Sequence, residues 1–430
     1  MSDWKEYKFS ELCDISRGAS PRPIHEYMTD GEGMPWVKIA DATKSNSRFI
    51  EDTAERIKLS GVKKSVEVFE GDLILSNSAT PGLPKFMAIN ACIHDGWMLL
   101  RNFKNITKEF AYWLLLNERN NLVKQGTGTV FINLKTDILK NHIVKIPSIE
   151  EQNKIVSILN RIEDKIHLNT QINQTLEQIA QALFKSWFVD FDPVRAKVQA
   201  LSDGLSLEQA ELAVMQAISG KTPEELTALS QTKPDRYAEL AETAKAFPCE
   251  MVEIDGGEVP KGWEIKPIEL ILDRLKNKQK LRKEEISFEG TIPVFEQGTS
   301  IFMGYHDKDA AFNASIDEPI FIFGDHTCIT KLSTIPFSIY QNVIPLIGKN
   351  LPTYWVYCAI QNKQTFQEYR RHWSELIVKE VVVPDNINLC QCFSKKIKEL
   401  FFKIDINHQE NRNLIETRDL LLPRLLNGEI

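Results

Sequence analysis

From Glu150 to Trp187 apolar residues return every three or four positions. A heptad reading places Ile155, Leu159, Ile162, Ile166, Asn169, Asn173, Leu176, Ala180, Leu183 and Trp187 on one stripe. The same stripe recurs 238 positions later as Phe393, Ile397, Leu400, Ile404, Asn407, Asn411, Leu414, Arg418, Leu421 and Leu425. Alternating four-and-three spacing over four heptads is coiled-coil spacing, so two long helices are predicted. Both stripes carry a polar interruption, and a buried Asn there lowers stability while fixing register and partner. In an antiparallel pair Asn169 faces Asn411 and Asn173 faces Asn407. In a parallel pair Asn169 faces Asn407, and the pattern fits both arrangements. Pro423 stands where the first copy has Lys185, so the second helix is expected to end or kink near Leu422.

Ahead of each stripe the pattern changes to short apolar runs bounded by Gly, Pro, Asp and Asn. Leu73-Ile74-Leu75, Ile143-Val144-Lys145-Ile146 and Val381-Val382-Val383 read as strands. Glu109–Leu122 and Thr353–Tyr369 read as single helices. The segments also repeat in order. Trp4-Lys5-Glu6 with Glu11-Leu12 returns loosely as Trp263-Glu264-Ile265 with Glu269-Leu270. Gly33-Met34-Pro35-Trp36-Val37 returns as Gly290-Thr291-Ile292-Pro293-Val294, and Gly71-Asp72-Leu73-Ile74-Leu75 more weakly as Asp317 to Ile322. Tyr112-Trp113-Leu114 matches Tyr354-Trp355-Val356, and Ile143 to Pro147 matches Glu380 to Pro384. The shared order points to a tandem duplication: two α+β domains, mixed and mostly β, each followed by a long helix.

Composition narrows the class. The 430 residues are 43% hydrophobic and 26% charged, as in an ordinary globular protein. No run of 18 apolar residues suggests a membrane span, and the N-terminus has no signal-peptide pattern, so a cytoplasmic protein is expected. Seven scattered cysteines fit a reducing compartment, and Cys390-Gln391-Cys392 has no metal-ligand partners nearby in sequence. The net charge is −7, with 52 basic and 59 acidic residues. Residues 1–190 carry 24 of each sign, 191–262 carry 7 basic against 13 acidic, and 263–430 carry 21 against 22. The acidity therefore sits in one middle segment, where Leu207–Ile218 and Pro223–Leu229 read as helical. The flanking parts are free to form basic patches. So small a net charge disfavours a DNA-mimic inhibitor.

A duplicated domain on a rigid spacer suits a ligand with two separated sites. Ile155 to Trp187 spans roughly 50 Å as a helix, comparable with DNA half-sites about 34–36 Å apart. Divergence of the halves implies an asymmetric target. Arg274, Lys276, Lys278, Lys280, Arg282 and Lys283 are six cations in ten residues with no acid, a stretch that neutralises phosphates and makes binding salt-sensitive. The first half offers Arg17, Arg22, Lys38, Lys44, Arg48, Lys63 and Lys64, with Gly126 and Gly128 in a loop able to approach a backbone closely.

Gly33 to Asp41, Gly71 to Ser76, and Ile146-Pro147 leading to Glu151-Gln152-Asn153-Lys154-Ile155-Val156 resemble the specificity subunits of type I restriction–modification systems. So do Leu183 to Val194 and Val259-Pro260-Lys261-Gly262-Trp263. The resemblance covers essentially the whole chain. It implies two target-recognition domains, at 1–148 and 261–385, each reading one half of a bipartite double-stranded DNA site. It implies spacer helices at 149–190 and 386–426 that pair as an antiparallel coiled coil, set the gap and dock two adenine methyltransferase subunits. Restriction subunits then join. On this reading residues 191–260 are an acidic, partly helical linker. The second helix departs from the pattern: Asn388-Leu389-Cys390 replace Glu150-Glu151-Gln152.

No catalytic motif is apparent. There is no Asn-Pro-Pro-aromatic tetrapeptide, and Gly220-Lys221-Thr222 lacks the upstream glycine of a P-loop, with Met215 in its place. Glu67, Asp72 and Asp95 read as strand or turn acids, and His306-Asp307 and Asp325-His326 as loop residues. The chain is expected to be non-catalytic and to bind no cofactor or metal itself. S-adenosylmethionine, ATP and Mg are expected on partner subunits. The alternative is a duplicated coiled-coil scaffold that does not read DNA.

Overall fold

A computed structural model of the chain describes residues 4–44, 47–126, 133–255, 257–298 and 301–430. The fold is α+β and divides into two units. The first comprises residues up to Leu168 with Glu410–Ile430, and the second comprises Asn169–Gln409.

In the first unit a five-stranded sheet runs in the order Asp14–Arg17, Trp97–Arg101, Leu73–Ser76, Pro84–Met87, Phe49–Ile50. A second sheet runs Met28–Thr29, Glu55–Ile57, Met34–Val37, Ala91–Ile93, Val66–Val68. Lys5–Lys8 pairs antiparallel with Ile143–Ile146, closing the domain. The central strands are buried on both faces, which is why Leu73-Ile74-Leu75 is apolar without alternation. The helix Lys108–Lys124 is capped by the Thr107 hydroxyl, which accepts from Phe110 N at 3.2 Å.

The second unit repeats the core of this connectivity, with sheets of four and three strands where the first unit has two of five. Leu272–Arg274, Val343–Gly348, Ile320–Gly324 and Thr330–Ser333 form its larger sheet in that order. They correspond to the first four strands of the sheet described above. Ile292–Phe295 runs parallel to Ser338–Ile339, as Met34–Val37 runs parallel to Ala91–Ile93. Glu264–Pro267 pairs with Glu380–Val383, as Lys5–Lys8 pairs with Ile143–Ile146. The duplication read from the sequence is thus a duplication of topology, and even the weak Asp317–Ile322 echo marks the equivalent strand.

Several expectations need correction. The second domain's helix runs only Thr353–Ile360, not to Tyr369. Beyond it, side-chain bonds replace helical ones: Gln361 Nε2 donates to Thr330 Oγ1 (2.7 Å) and Gln364 Nε2 to Glu375 Oε2 (2.8 Å). The second spacer helix continues through Pro423 to Leu426. Leu422, Leu425 and Leu426 are buried in the first unit's core, while Pro423 and Asp419, whose carbonyl loses a donor there, face solvent. Residues 191–260 are more ordered than a partly helical linker. Asp192–Ser202, Leu207–Ser219, Pro223–Thr232 and Pro234–Lys245 are four helices, followed by the hairpin Met251–Ile254 with Gly257–Pro260. Val194, Val214, Met215, Ile218, Leu226, Ala244 and Phe247 share the second unit's core. Lys197, 1% exposed, donates to the carbonyls of Phe247 (2.8 Å) and Ala244 (3.3 Å), satisfying the end of the last helix. The two unexpected helices each open with proline at the first turn, a start signal present in the sequence.

Candidate nucleic-acid interface and the paired helices

The spacer helices span Ile149–Phe188 and Ile387–Leu426, 40 residues each. Within the first unit Ile155 and Leu159 share a core with Leu422, Leu425 and Leu426. Glu163 accepts from Arg418 Nη1 at 2.8 Å, and Asn411 Nδ2 donates to Ile166 O at 3.3 Å. Within the second unit Leu176, Ala180, Leu183 and Phe184 pack with Phe393, Ile397, Leu400 and Ile404. The Phe184 and Phe393 rings meet edge-on at 5.6 Å, and Asn407 Nδ2 donates to Asn173 Oδ1 at 2.7 Å. In both units residue numbers rise along one helix as they fall along the other, so the pairing is antiparallel. Ile162, Leu414 and Leu421 are half-buried along the same stripe, and Asn169 is buried.

Gln152, fully buried, joins the first helix to its domain. Its Oε1 accepts from Thr107 N (2.8 Å), and its Nε2 donates to the carbonyls of Asn105 (2.9 Å) and Pro147 (3.0 Å). At the equivalent place in the second helix stands Cys390, packed in the apolar core with its thiol pushed up to about 12 by burial. One copy therefore fastens its helix by hydrogen bonds and the other by apolar packing.

The first-half cations fall into three groups. Arg22 and Lys38 line a cleft of about 980 Å³, together with Ser20, Trp36, Ser78, His94 and Asp95. Arg17 joins them indirectly: its Nε donates to Asp95 O at 2.9 Å, and the Asp95 carboxylate also takes the Ser20 hydroxyl at 2.7 Å. Those bonds, Ser20 foremost, hold the Asp95 carboxyl below the usual range. Lys38 forms an ion pair with Glu55. Lys44, Lys63 and Lys64 are exposed, and Lys64 lies over the Tyr27 ring, 4.8 Å from its centroid. Arg48 turns to the spacer helix instead, donating to Asn160 Oδ1 at 2.7 Å and pairing with Asp164. Gly126 ends the Lys108–Lys124 helix segment, and Gly128 lies outside the described residues.

In the second unit Arg274, Lys276, Lys278, Lys280, Arg282 and Lys283 are all exposed. None forms an ion pair among the described residues. The run is nevertheless anchored. Gln279 Oε1 accepts from Ser338 Oγ (2.7 Å), and Ser338 Oγ accepts from Ala311 N (3.0 Å) and lies 2.9 Å from His306 Nε2. Lys308 N donates to His306 Nδ1 (3.0 Å), and Gln279 Nε2 donates to Asp309 O (2.9 Å). His306 is thus no loop residue: it ends the strand Phe302–His306 and is 3% exposed. Burial, then Lys308, lowers its pKa against the opposing Asp307 and Glu285. Asp325 is also buried, accepting from Trp373 N at 3.0 Å, and His326 stacks on Tyr369 at 4.8 Å. Asp72 is held by Arg101, whose Nε donates to it at 3.0 Å. Among the described residues no group of three His, Cys, Asp or Glu side chains is placed to hold a metal, and no helix is long and apolar enough to cross a membrane. Sequence reasoning missed His94 and Ser78, because only the fold brings them beside Arg22 and Lys38.

A family profile described as the type I restriction modification DNA specificity domain matches residues 1–178. The specificity subunit of the type I restriction enzyme HindI of Haemophilus influenzae is 38% identical over 476 aligned residues, spanning all of both chains. The chain belongs to the specificity subunits of type I restriction–modification systems. The MjaIX specificity subunit of Methanocaldococcus jannaschii is 24% identical across all of this chain and 94% of its own length. The crystal structure of the type I S subunit from M. genitalium shares the fold, with a TM-score of 0.52 over 99% of this specificity subunit and 96% of that chain at 15% identity.

Proposed function

We propose that this specificity subunit reads double-stranded DNA through both of its domains, each contacting one half of an asymmetric, two-part target. The observation that carries the reading is the repeated topology with a distinct cationic surface on each copy. One is the cleft bearing Arg22 and Lys38. The other is the exposed cationic run from Arg274 to Lys283. Arg22 and the cations of that run have no ion-pair partners among the described residues, as phosphate neutralisation requires, and differing surfaces on a common frame suit differing half-sites. The paired helices set the gap between the half-sites and dock two adenine methyltransferase subunits, and restriction subunits join that core. S-adenosylmethionine, ATP and Mg belong to those subunits, and this chain supplies specificity without chemistry.

The experiment is a map of methylated adenine across the host genome with and without this gene, repeated with residues 1–145 exchanged for those of another specificity subunit. Loss of one two-part motif, and a change in only one half with the chimera, is the expected result. A chimera with unchanged specificity overturns the reading. A map unaffected by deletion, with other proteins co-purifying on the helices, points instead to a scaffold.

A further inference from the structure

The cleft of the first domain holds a histidine whose surroundings are built around it. His94 follows the strand Ala91–Ile93, and its ring sits 6.1 Å from that of Trp36. Gly96 N donates to His94 Nδ1 at 2.8 Å. That bond leaves the lone pair on Nδ1 and the proton of the neutral ring on Nε2. Burial lowers the His94 pKa, Asp95 opposes this, Lys38 adds to it and Asp41 opposes. The ring is therefore a neutral donor at physiological pH.

Two glycines make the room. A Cβ on Gly96 would stand 2.1 Å from His94 Cε1 and 2.8 Å from Ser78 Oγ. A Cβ on Gly18 would stand 2.1 Å from the His94 carbonyl oxygen. Neither glycine has a positive φ, so close approach alone demands them. Among the described residues Nε2 has no protein partner, and the side chain, 21% exposed, lines the cleft. Beside it Asp95 Oδ1 accepts from the Ser20 hydroxyl at 2.7 Å, and Arg17 Nη2 lies 3.8 Å from Oδ2.

We propose that His94 is a specificity-determining residue whose Nε2–H donates to the N7 of a guanine in the major groove. The inference rests on the reading that the first domain contacts DNA. In that groove guanine presents two adjacent acceptors, N7 and O6, whereas adenine sets an amino donor beside N7. An N–H aimed at N7 is favoured by the adjoining O6 acceptor of guanine and opposed by the adjoining amino donor of adenine, so the Nε2–H of His94 favours guanine. Arg22 at the same cleft, without an ion-pair partner among the described residues, meets a flanking phosphate.

The test uses the specificity subunit assembled with its methyltransferase subunits and duplexes carrying the mapped target. Each guanine of the half-site read by the first domain is replaced in turn by 7-deazaguanine, with inosine, which keeps N7 and O6, as control. Binding is expected to weaken about tenfold at one position and to be unchanged by inosine there. The H94A complex is expected to bind the native target about tenfold more weakly and to be indifferent to 7-deazaguanine at that position. Its methylation motif relaxes at that base while the other half is kept. If H94A does not assemble, H94F, which keeps a ring but has no N–H donor, takes its place. Insensitivity to every 7-deazaguanine in that half overturns the inference, as does sensitivity that survives the substitution. Either result leaves half-site reading intact if the domain exchange still switches that half. A wild-type complex with no preference for its mapped target overturns both.

Discussion

Asn407 donates through Nδ2 to Asn173 Oδ1 at 2.7 Å, and both side chains are buried where the two spacer helices pair in the second unit. Asn173 Nδ2 in turn donates to Ile404 O at 3.4 Å. The pair is the one an antiparallel register brings together and a parallel register separates. A slipped register would strand both amides among Leu176, Leu400 and Ile404. The polar break in each stripe thus selects direction and alignment at some loss of stability.

Replacing one partner should be worse than replacing both. Asn407→Leu leaves the buried Asn173 amide without its donor and should destabilise by about 1–3 kcal/mol. The Asn173→Leu/Asn407→Leu chain should recover most of that loss, because an apolar pair removes both polar groups together. Denaturant unfolding of the four members of the double-mutant cycle measures this. A double variant weaker than either single one contradicts it.

Much of this was legible in the chain. The heptad stripe, the matching Asn positions and the order of repeated motifs describe local periodicity and duplication, both written directly in residue spacing. Direction was not legible, because Asn169, Asn173, Asn407 and Asn411 satisfy both orientations until backbone geometry chooses. Nor was the cleft. Arg22, Lys38 and His94 are far apart in sequence, and only sheet pairing brings them together. Arg48 looked like any other surface cation, yet its partners Asn160 and Asp164 lie more than a hundred residues away.

Gln152 carries the joint between the first domain and its helix. Gln152→Ala should leave Thr107 N–H and two carbonyls unsatisfied in the interior, lowering stability by about 2–3 kcal/mol. Cys390→Ala, at the equivalent joint, removes only a small buried group and should cost about 1 kcal/mol. Thermal unfolding of the two variants checks the asymmetry, and equal losses would show that the hydrogen bonds are not the fastening.

His306 makes the anchorage of the basic run sensitive to acid. Its folded pKa lies below 6.5, chiefly through burial, so the unfolded chain takes up a proton first as pH falls. Stability linked to this ring is fully present above about pH 6.5 and declines as pH falls from there toward the folded pKa. Protonation also converts Nδ1, which accepts from Lys308 N, into a donor. The difference in unfolding free energy between the wild type and His306→Gln should therefore shrink from pH 7.5 to pH 5. A difference that is flat across that range would show the ring does not titrate on unfolding.

The cations divide by whether the protein already uses them, and salt dependence separates the classes. Changing Lys276, Lys278, Lys280 and Arg282 together to Ala removes four charges without ion-pair partners among the described residues. Binding of the assembled complex to its target should weaken. The slope of log K against log salt should flatten by up to about 3.6, at roughly 0.9 for each phosphate no longer neutralised. Arg48→Ala should do the reverse: its charge is committed to Asp164 and Asn160, so the salt slope should stay unchanged while the midpoint of thermal unfolding falls. Both variants can be followed in one titration series from low to physiological salt. An Arg48 variant with a flattened slope would mean that the pair with Asp164 opens on DNA, making Arg48 a phosphate ligand held in reserve by the spacer helix.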